Sequence, residues 1–232
     1  MTNIRKESET RRIKNSVILA SAKLFLTKGF TKSSIKDIAG GSGISVSTVM
    51  YVFKSKEDIL VELVEYVLES QFNEAKQLII NKTNDPVLYY GVETVMQLYM
   101  AESNEHIRDL YLASYSLDKP SELIRQNITK KLEVIFKDYL PDYDEKDFYE
   151  LEIASGGMIR NYMMKPCDMY FTMIRKRKRF LETALRIYQV SSNKIEEAVK
   201  FLDQFDFEKI AEQTIEKLLN KWMEGEKTHE NI

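Results

Sequence analysis

The sequence predicts an all-α protein, with a three-helix head at the N-terminus and a larger helical body. Apolar residues recur at helical spacing along nearly the whole chain, and no segment shows the alternation expected of a half-buried strand. The 232 residues include only 8 Gly and 4 Pro, so long stretches lack the residues that interrupt helices. A hydrophobic fraction of 44% is sufficient for a sizeable core, which argues against global disorder.

The first helix is indicated by one apolar face. Its residues are spaced by 4, 3 and 4 positions: Ile13, Val17, Ala20 and Leu24. We expect this helix to end at Lys28 and Gly29, because glycine commonly follows a helix end and lysine interacts well with the last carbonyls.

Two short helices should follow. Ser34 stands three residues before Asp37, the spacing of a capping box. The glycine-rich segment 40–43 is expected to break this helix. Ser45 can then cap a second short helix that ends near Val52.

The body should begin with a long helix over 55–79, capped by Ser55 with Asp58. Asp85 followed by Pro86 marks the start of the next helix. The remaining helices are expected at 86–101, 105–117, 121–140, 145–164 and 168–190, from Asn193 onward, and at 207–223.

The charge distribution separates the head from the body. Residues 1–60 contain 11 basic and 5 acidic residues, a net charge of +6, whereas the rest contains 23 and 31, a net charge of −8. A basic module on an acidic one is typical of a nucleic-acid-binding unit attached to a regulatory unit.

The segment 33–53 has the parts of a helix-turn-helix, which is two short helices joined by a tight turn containing glycine. Its apolar residues would close a small core, and Gly43 permits the turn. The start of the second helix then presents short side chains that can approach base edges in the major groove: Ser45, Val46, Ser47 and Thr48.

Across about residues 10–60, the sequence resembles the N-terminal signature of TetR-family repressors. The matching positions are Gly29, Phe30, Ser33, Ser34, Ile35, Asp37, Ile38, Ala39, Gly43, Ile44, Ser45, Thr48, Val49, Phe53, Lys56, Glu57 and Leu60. The resemblance implies a DNA-binding domain at 1–55 and a ligand-binding and dimerisation domain at 56–232. It also implies a homodimer on a palindromic operator in double-stranded DNA, released when a small-molecule effector binds.

Carried over by position, the resemblance also assigns residue roles. Ser33 and Ser34 would start the first short helix near the DNA backbone, and Lys56 would bind a phosphate. The family commonly has phosphate-contacting residues where this chain has Met50 and Val52. Tyr51 either replaces those contacts or is an ordinary surface aromatic.

The body is rich in Tyr and Met, which suit an adaptable and largely apolar pocket. The candidate ligand-binding residues are Tyr89, Met96, Tyr99, Met100, Tyr111, Tyr115, Met158 and Tyr162. Any one of them can instead be plain core. The expected effector is at least partly apolar.

Several other features of the body can be interpreted in more than one way. The basic run 175–179 is either a solvated helix face, with Phe171, Ile174, Leu181 and Leu185 inward, or a second nucleic-acid patch. Gly156 and Gly157 allow a close helix contact, either within the subunit or at a dimer seam. The final helix is a candidate for that seam through Leu218, Leu219 and Trp222.

Catalytic, metal and membrane roles have little support in the sequence. Cys167 is the only cysteine and there are 2 His, so neither a disulfide nor a soft metal site is expected. We predict no enzyme activity, no cofactor and no membrane span, and a cytoplasmic location. A helical enzyme with a basic arm and a helical protein-interaction module are the alternatives.

Overall fold

The computed structural model describes the backbone of residues 2–227 and the side chains of residues 8–218 and 220. Within that range the chain forms eleven α-helices, one short 3-10 helix and no strand. The helices are α1 (Thr2–Lys28), α2 (Ile35–Ser42), α3 (Val46–Val52), α4 (Lys56–Ile79), α5 (Pro86–Ser103), α6 (Glu105–Ser116), α7 (Asp118–Phe136), α8 (Glu145–Met164), α9 (Met173–Ile187), α10 (Ser192–Phe201) and α11 (Phe207–Lys227), with the 3-10 turn at Leu202–Gln204.

The head consists of α1, α2 and α3, closed beneath by the first half of α4. Phe25 and Phe30 meet edge to face with ring centroids 5.1 Å apart, and Ile38, Val49 and Phe53 are buried beside them. This cluster excludes water from the underside of both short helices. It therefore sets the angle at which α3 is presented.

The predicted helix ends of the head are confirmed. Ser34 and Asp37 form a complete capping box, and Ser45 caps α3. The positive φ angles of Gly29 (87°) and Gly43 (66°) fit residues without a Cβ. The interruption expected at 40–43 is only partly right, because α2 continues through both glycines to Ser42 and ends at Gly43.

Two helices of the body begin elsewhere than predicted. α7 starts at Asp118 rather than 121, because Pro120 is accommodated in the first turn, where no amide donor is required. α9 starts at Met173 rather than 168. The Asp168 carboxylate instead accepts hydrogen bonds from the amides of Tyr170 and Phe171, both 2.8 Å, which stabilises a turn before the helix, and Thr172 caps α9.

The body is built around α5, most of whose residues are buried. α4, α6, α7, α8, α9, α10 and α11 pack around it. Its core includes Tyr90 and a stacked pair, Phe136 and Tyr188, with ring centroids 4.0 Å apart. None of the helices in the described part of the chain is both long and apolar enough to traverse a bilayer.

α4 belongs to both halves of the molecule. Ile59 and Leu63 pack in the head cluster, whereas Ala75 and Ile79 pack in the core of the body. The same helix thus packs against the core of the head and the core of the body. The division at residue 55/56 stays a prediction.

Candidate nucleic-acid interface and interior cavity

The start of α3 is held by a small hydroxyl network. The Ser45 hydroxyl accepts a hydrogen bond from the Thr48 amide at 3.2 Å and lies 3.0 Å from Ser47 Oγ and 2.8 Å from Thr48 Oγ1. Ser45 and Thr48 therefore stabilise the first turn of the helix. Among the four predicted reading residues, Val46 and Ser47 are left to face outward without a capping role.

The outer face of α3 is apolar and carries no charge. Val46 is 46% exposed, Met50 is 40% exposed and Tyr51 is 80% exposed. Exposed apolar side chains on a short helix next to hydroxyl groups can contact thymine methyl groups and base edges in the major groove. Met50, read from the sequence as a departure from the expected pattern, lies on this face.

Ser33 does not take the surface position that its assignment requires. Its side chain is only 3% exposed, and its hydroxyl donates a 2.6 Å hydrogen bond to the Gly29 carbonyl. The group is used inside the turn between α1 and α2, so a contact from this side chain to DNA is contradicted. Ser34 remains exposed, as the cap of α2.

Lys56 is also engaged within the protein. Its ammonium donates to the carbonyls of Phe30 and Ser33, both at 2.8 Å, and lies 4.1 Å from the centroid of the Phe30 ring. Partial burial lowers the pKa of this lysine. The side chain therefore ties the start of α4 to the α1–α2 turn, and the role of Lys56 as a phosphate ligand stays a prediction.

Three other lysines of the head lie close in sequence to the two short helices. Lys32, Lys36 and Lys54 are exposed, and they make no hydrogen bond or ion pair with any residue that the structure describes. Lys32 precedes α2, Lys36 lies in the first turn of α2, and Lys54 follows the C-cap residue of α3. Sequence reasoning missed them, although their positions beside the helix caps were a usable signal.

The head contacts the body through Asp109 of α6. Its two carboxylate oxygens accept hydrogen bonds from the amide of Thr31 at 2.7 Å and from the hydroxyl of Thr31 at 2.6 Å. A Cβ on Gly29 would lie 2.9 Å from the same carboxylate, so the close approach requires glycine there. The turn before α2 is thus held directly by a body helix.

A second contact joins α4 to α7. The amide of Lys119 donates to Glu57 at 2.8 Å, and its ammonium pairs with Asp58 at 2.5 Å. The hydrogen bond from Lys119 is the largest cause of the lowered pKa of Asp58. Both contacts place the head in a defined orientation relative to the body.

A cavity of about 60 Å³ lies between the head and the body. Its walls are almost entirely apolar, formed by α1, α4, α5, α6, α7 and α11. The lining residues include Leu26, Leu63, Met100, Ile107, Tyr111 and Tyr115. Met100, Tyr111 and Tyr115 were predicted to bind a ligand, and the fold brings them together here.

The other five candidate ligand residues line neither this cavity nor the smaller one beside it. Tyr89 donates to the Phe72 carbonyl at 3.0 Å, Met96 is fully buried, and Tyr99 stacks on Phe207. Tyr162 packs on the Phe171 and Phe180 rings, and Met158 packs against the main core. These side chains fill space between helices and do not line either cavity, so their role as ligand contacts stays a prediction.

The cavity has polar groups that the sequence did not reveal. Gln71 donates through its Nε2 to the hydroxyl of Tyr111, while its Oε1 is buried and accepts no hydrogen bond. The Tyr115 hydroxyl donates to Gln97 Oε1 at 3.1 Å. The sequence does not identify these two glutamines as cavity residues, because only the fold shows that their side chains are buried.

Two side chains of the basic run in α9 form ion pairs within the protein. Lys176 is 1% exposed and pairs with Glu102 at 2.6 Å, and Arg177 pairs with Asp203 at 2.5 Å. Leu181 and Leu185 are buried as predicted, but Ile174 is 65% exposed, which corrects its expected inward position.

The comparisons with known proteins point to one family. Residues 17–63 match the family described as bacterial regulatory proteins of the tetR family. YerO, an uncharacterized HTH-type transcriptional regulator of Bacillus subtilis (strain 168), is 25% identical over 162 residues, which are 65% of this chain and 54% of YerO. The chain thus spans about half the length of the curated relative that it matches.

Solved structures share the helical architecture. RolR in complex with resorcinol superposes with a TM-score of 0.64 at 14% identity, over 83% of this chain and 95% of RolR. A gamma-butyrolactone receptor described as ArpA-like gives a TM-score of 0.44 at 15% identity, over 89% of this chain and 99% of that one, which is too low to support an argument. The head is thus similar to that of the tetR family of bacterial regulatory proteins and to the related regulator YerO, and the superposition with RolR shows a shared helical fold.

Proposed function

We propose that the protein is a ligand-responsive DNA-binding transcriptional regulator, acting as a repressor that leaves a palindromic operator when a small molecule occupies its body. The observation that carries this proposal is the uncharged, exposed face of α3, flanked by exposed lysines and mounted on helices that also enclose a cavity. An exposed, uncharged helix face beside lysines and an enclosed cavity is not expected of a helical enzyme or of a protein-interaction module.

DNA reading is assigned to α3. Val46 and Met50 would contact thymine methyl groups, Ser47 would hydrogen-bond to a base edge, and Lys36 and Lys54 would hold phosphates. Tyr51, the most exposed aromatic of the head, is placed to contact the backbone beside them.

Effector response is assigned to α6 and α4. Tyr111 and Tyr115 of α6 line the cavity, and Asp109 of the same helix holds the head at Thr31. A ligand that favours a shifted α6 would move this contact, and its differential affinity for the two states is what releases DNA. RolR was solved with resorcinol, which supports a small-molecule site in this fold.

The homodimer seam is assigned to α8 rather than to Leu218. Leu218 is 6% exposed and lines the cavity inside its own subunit, while the side chains of Leu219 and Trp222 lie outside the described residues. On α8, Ile153 is 53% exposed and Met164 is 50% exposed, with the exposed Gly157 between them. An apolar face with a glycine at its centre suits close contact with a second copy on a two-fold axis.

A fluorescence anisotropy titration with the DNA upstream of the protein's own coding region tests the proposal. We expect salt-sensitive, sequence-specific binding to a palindrome. Replacing a contacted thymine by uracil removes one methyl group, and we expect it to weaken binding by roughly 0.8 kcal/mol, about a fourfold loss.

The matched control is the Val46→Ser variant, in which the uracil substitution facing Val46 should have no further effect. The absence of specific binding, both on this DNA and on operators selected from random DNA, would contradict the proposal and favour an interaction module. Since the target is chromosomal DNA, we place the protein in the cytoplasm.

A further inference from the structure

A second, smaller cavity of about 30 Å³ adjoins the first and contains two buried carboxyl groups. Glu93 of α5 is 2% exposed and Glu152 of α8 is 4% exposed. Their surroundings are largely apolar, with Phe72, Tyr90 and Phe180 in the wall. Carboxyl groups are seldom buried without a partner, since removing their charge from water is costly.

One oxygen of each carboxyl group accepts a hydrogen bond from a neighbouring side chain. Glu93 Oε1 accepts from Gln97 Nε2 at 2.6 Å, and Glu152 Oε2 accepts from Ser155 Oγ at 2.8 Å. Glu93 Oε2 and Glu152 Oε1 receive no hydrogen bond from any residue in the described part of the chain. Two acceptors at one cavity therefore lack donors.

Gly156 makes room for this arrangement. A Cβ at Gly156 would lie 2.7 Å from Glu152 Oε1, so any larger residue would displace the carboxyl group. This explains one of the two adjacent glycines that a helix would otherwise disfavour.

None of the described cations forms an ion pair with either carboxyl group, although Lys131 lowers the pKa of Glu93 and Arg125 lowers that of Glu152 from a distance. Lys131 reaches the cavity wall but lies 4.2 Å from the Phe72 ring centroid and forms no ion pair with Glu93. Arg125 of α7 acts on Glu152 only from a distance, because it pairs with Glu122 at 2.7 Å. The other described titratable neighbours are phenols: Tyr89 and Tyr90 of α5, Tyr111 and Tyr115 of α6, and Tyr188 directly after α9.

Burial raises the pKa of Glu93 to about 7 and that of Glu152 to about 8, with repulsion from Glu93 contributing to the latter. Near neutral pH both groups therefore hold protons for part of the time. A bound cation would stabilise the carboxylates, so its binding would release protons to the buffer.

The two cavities adjoin each other and share part of their walls. Gln97 and Tyr115 line both of them, and Gln71 at the larger one offers a fully buried oxygen that no group satisfies. At about 10–15 Å³ per water-sized position, the combined space takes a ligand of roughly six to nine non-hydrogen atoms.

We propose that the effector is a small organic cation, whose apolar part occupies the larger cavity and whose ammonium group is bound by Glu93 and Glu152. This inference rests on the proposed function, because it names the ligand class of the same regulatory site. The ammonium donates to the two free carboxylate oxygens, and any proton held by those carboxyl groups passes to the buffer.

Three compounds that share a phenyl group on two carbons, but differ in the charge of their end group, test whether binding requires a positive charge. Phenethylammonium, 2-phenylethanol and phenylacetate are each titrated by calorimetry into the full chain near neutral pH. We expect binding of the ammonium at least tenfold tighter than of the alcohol, and none of the carboxylate. The apparent enthalpy should vary with the ionisation enthalpy of the buffer, which reports proton release.

Glu93→Gln and Glu152→Gln should each weaken ammonium binding at least tenfold and reduce the proton release. Glu150→Gln, an exposed carboxyl on the same helix as Glu152, is the matched control and should leave both unchanged. The assignment is overturned if the alcohol binds as tightly as the ammonium, if no ammonium binding occurs, or if the two variants retain it. Operator binding measured without ligand reports separately on the proposed function, which survives if only the cation fails.

Discussion

The ammonium of Lys56 shows how one contact changes the role of a side chain. A lysine at the start of a helix near DNA is a reasonable phosphate ligand, yet here it is occupied by the Phe30 and Ser33 carbonyls. Its loss should affect folding of the head more than the ionic component of DNA binding.

We therefore expect Lys36→Ala and Lys54→Ala each to reduce the slope of log affinity against log salt by roughly one unit. Lys56→Ala should instead lower the free energy of unfolding by about 2 kcal/mol, because two carbonyls lose a charged donor. Salt titrations by anisotropy and denaturant melts measure the two effects. Lys146→Ala, an exposed lysine of the body, is the control, and an equal slope change there would contradict the assignment.

Glu93 and Glu152 give a pH dependence of stability with a defined sign. Their folded pKa values, about 7 and about 8, lie above the usual 4.5, so the folded state keeps protons that the unfolded chain loses. The contribution to stability is fully present below pH 4.5 and is lost as the pH rises through about 8.

Glu93→Gln stays neutral at all pH values, so the variant should be more stable than the wild type at a pH of about 8, on the order of 3 kcal/mol. At a pH of about 4.5 the two proteins should melt alike. Thermal melts across this window measure the difference. A constant difference at every pH would show that burial does not shift the pKa of Glu93.

Helix α6 connects the ligand cavity to the head because its residues point to both. Helical spacing places Leu110 and Tyr111 toward the cavity, while Asp109 reaches the α1–α2 turn. In the proposed mechanism a shift of α6 would disturb both contacts, so α6 and α4 together would couple the effector site to α3.

We expect Asp109→Asn to weaken the hold on Thr31 and to increase hydrogen exchange at residues 29–34, because the replacement amide removes the charge from two short hydrogen bonds. The loss should be about 2 kcal/mol in local stability. Exchange measured by mass spectrometry tests this, with Asp142→Asn on an exposed loop as control. Unchanged protection of the turn would remove Asp109 from the coupling mechanism.

The proposed dimer would form through a face that a single subunit leaves uncovered. The exposed Ile153, Gly157 and Met164 of α8 are followed along the chain by Met169 and Tyr170, which are 80% and 78% exposed. Two DNA-binding heads on one two-fold axis require such a face, and the spacing of the heads then determines the spacing of the operator half-sites.

Gly157→Glu should prevent dimerisation, because a Cβ at this exposed position meets nothing within its own subunit but would place charge in the seam. Light scattering after gel filtration should give the monomer mass, and operator affinity should fall at least tenfold. Lys130→Glu on the exposed face of α7 should remain dimeric. A dimeric, fully active Gly157→Glu protein would place the seam elsewhere.

Local features of this chain were predictable from the sequence because they depend on neighbouring residues. The Ser34–Asp37 capping box, the end of α1 at Gly29 and the start of α5 at Pro86 each involve groups within a few positions of one another. The family signature over the head is local in the same sense, so the helical fold and the position of α3 followed from it.

The site itself required long-range contacts that no local pattern encodes. The fold brings Gln71 to Tyr111, and Lys56 to Phe30, across 40 and 26 residues, and gathers Glu93 and Glu152 at one cavity. Burial, which converts an amide or a carboxyl group into part of a binding site, depends on which helices pack together. The sequence therefore predicted the helical fold and the DNA-binding head, whereas the packing of α4, α5, α6 and α8 decided which side chains meet at the two cavities.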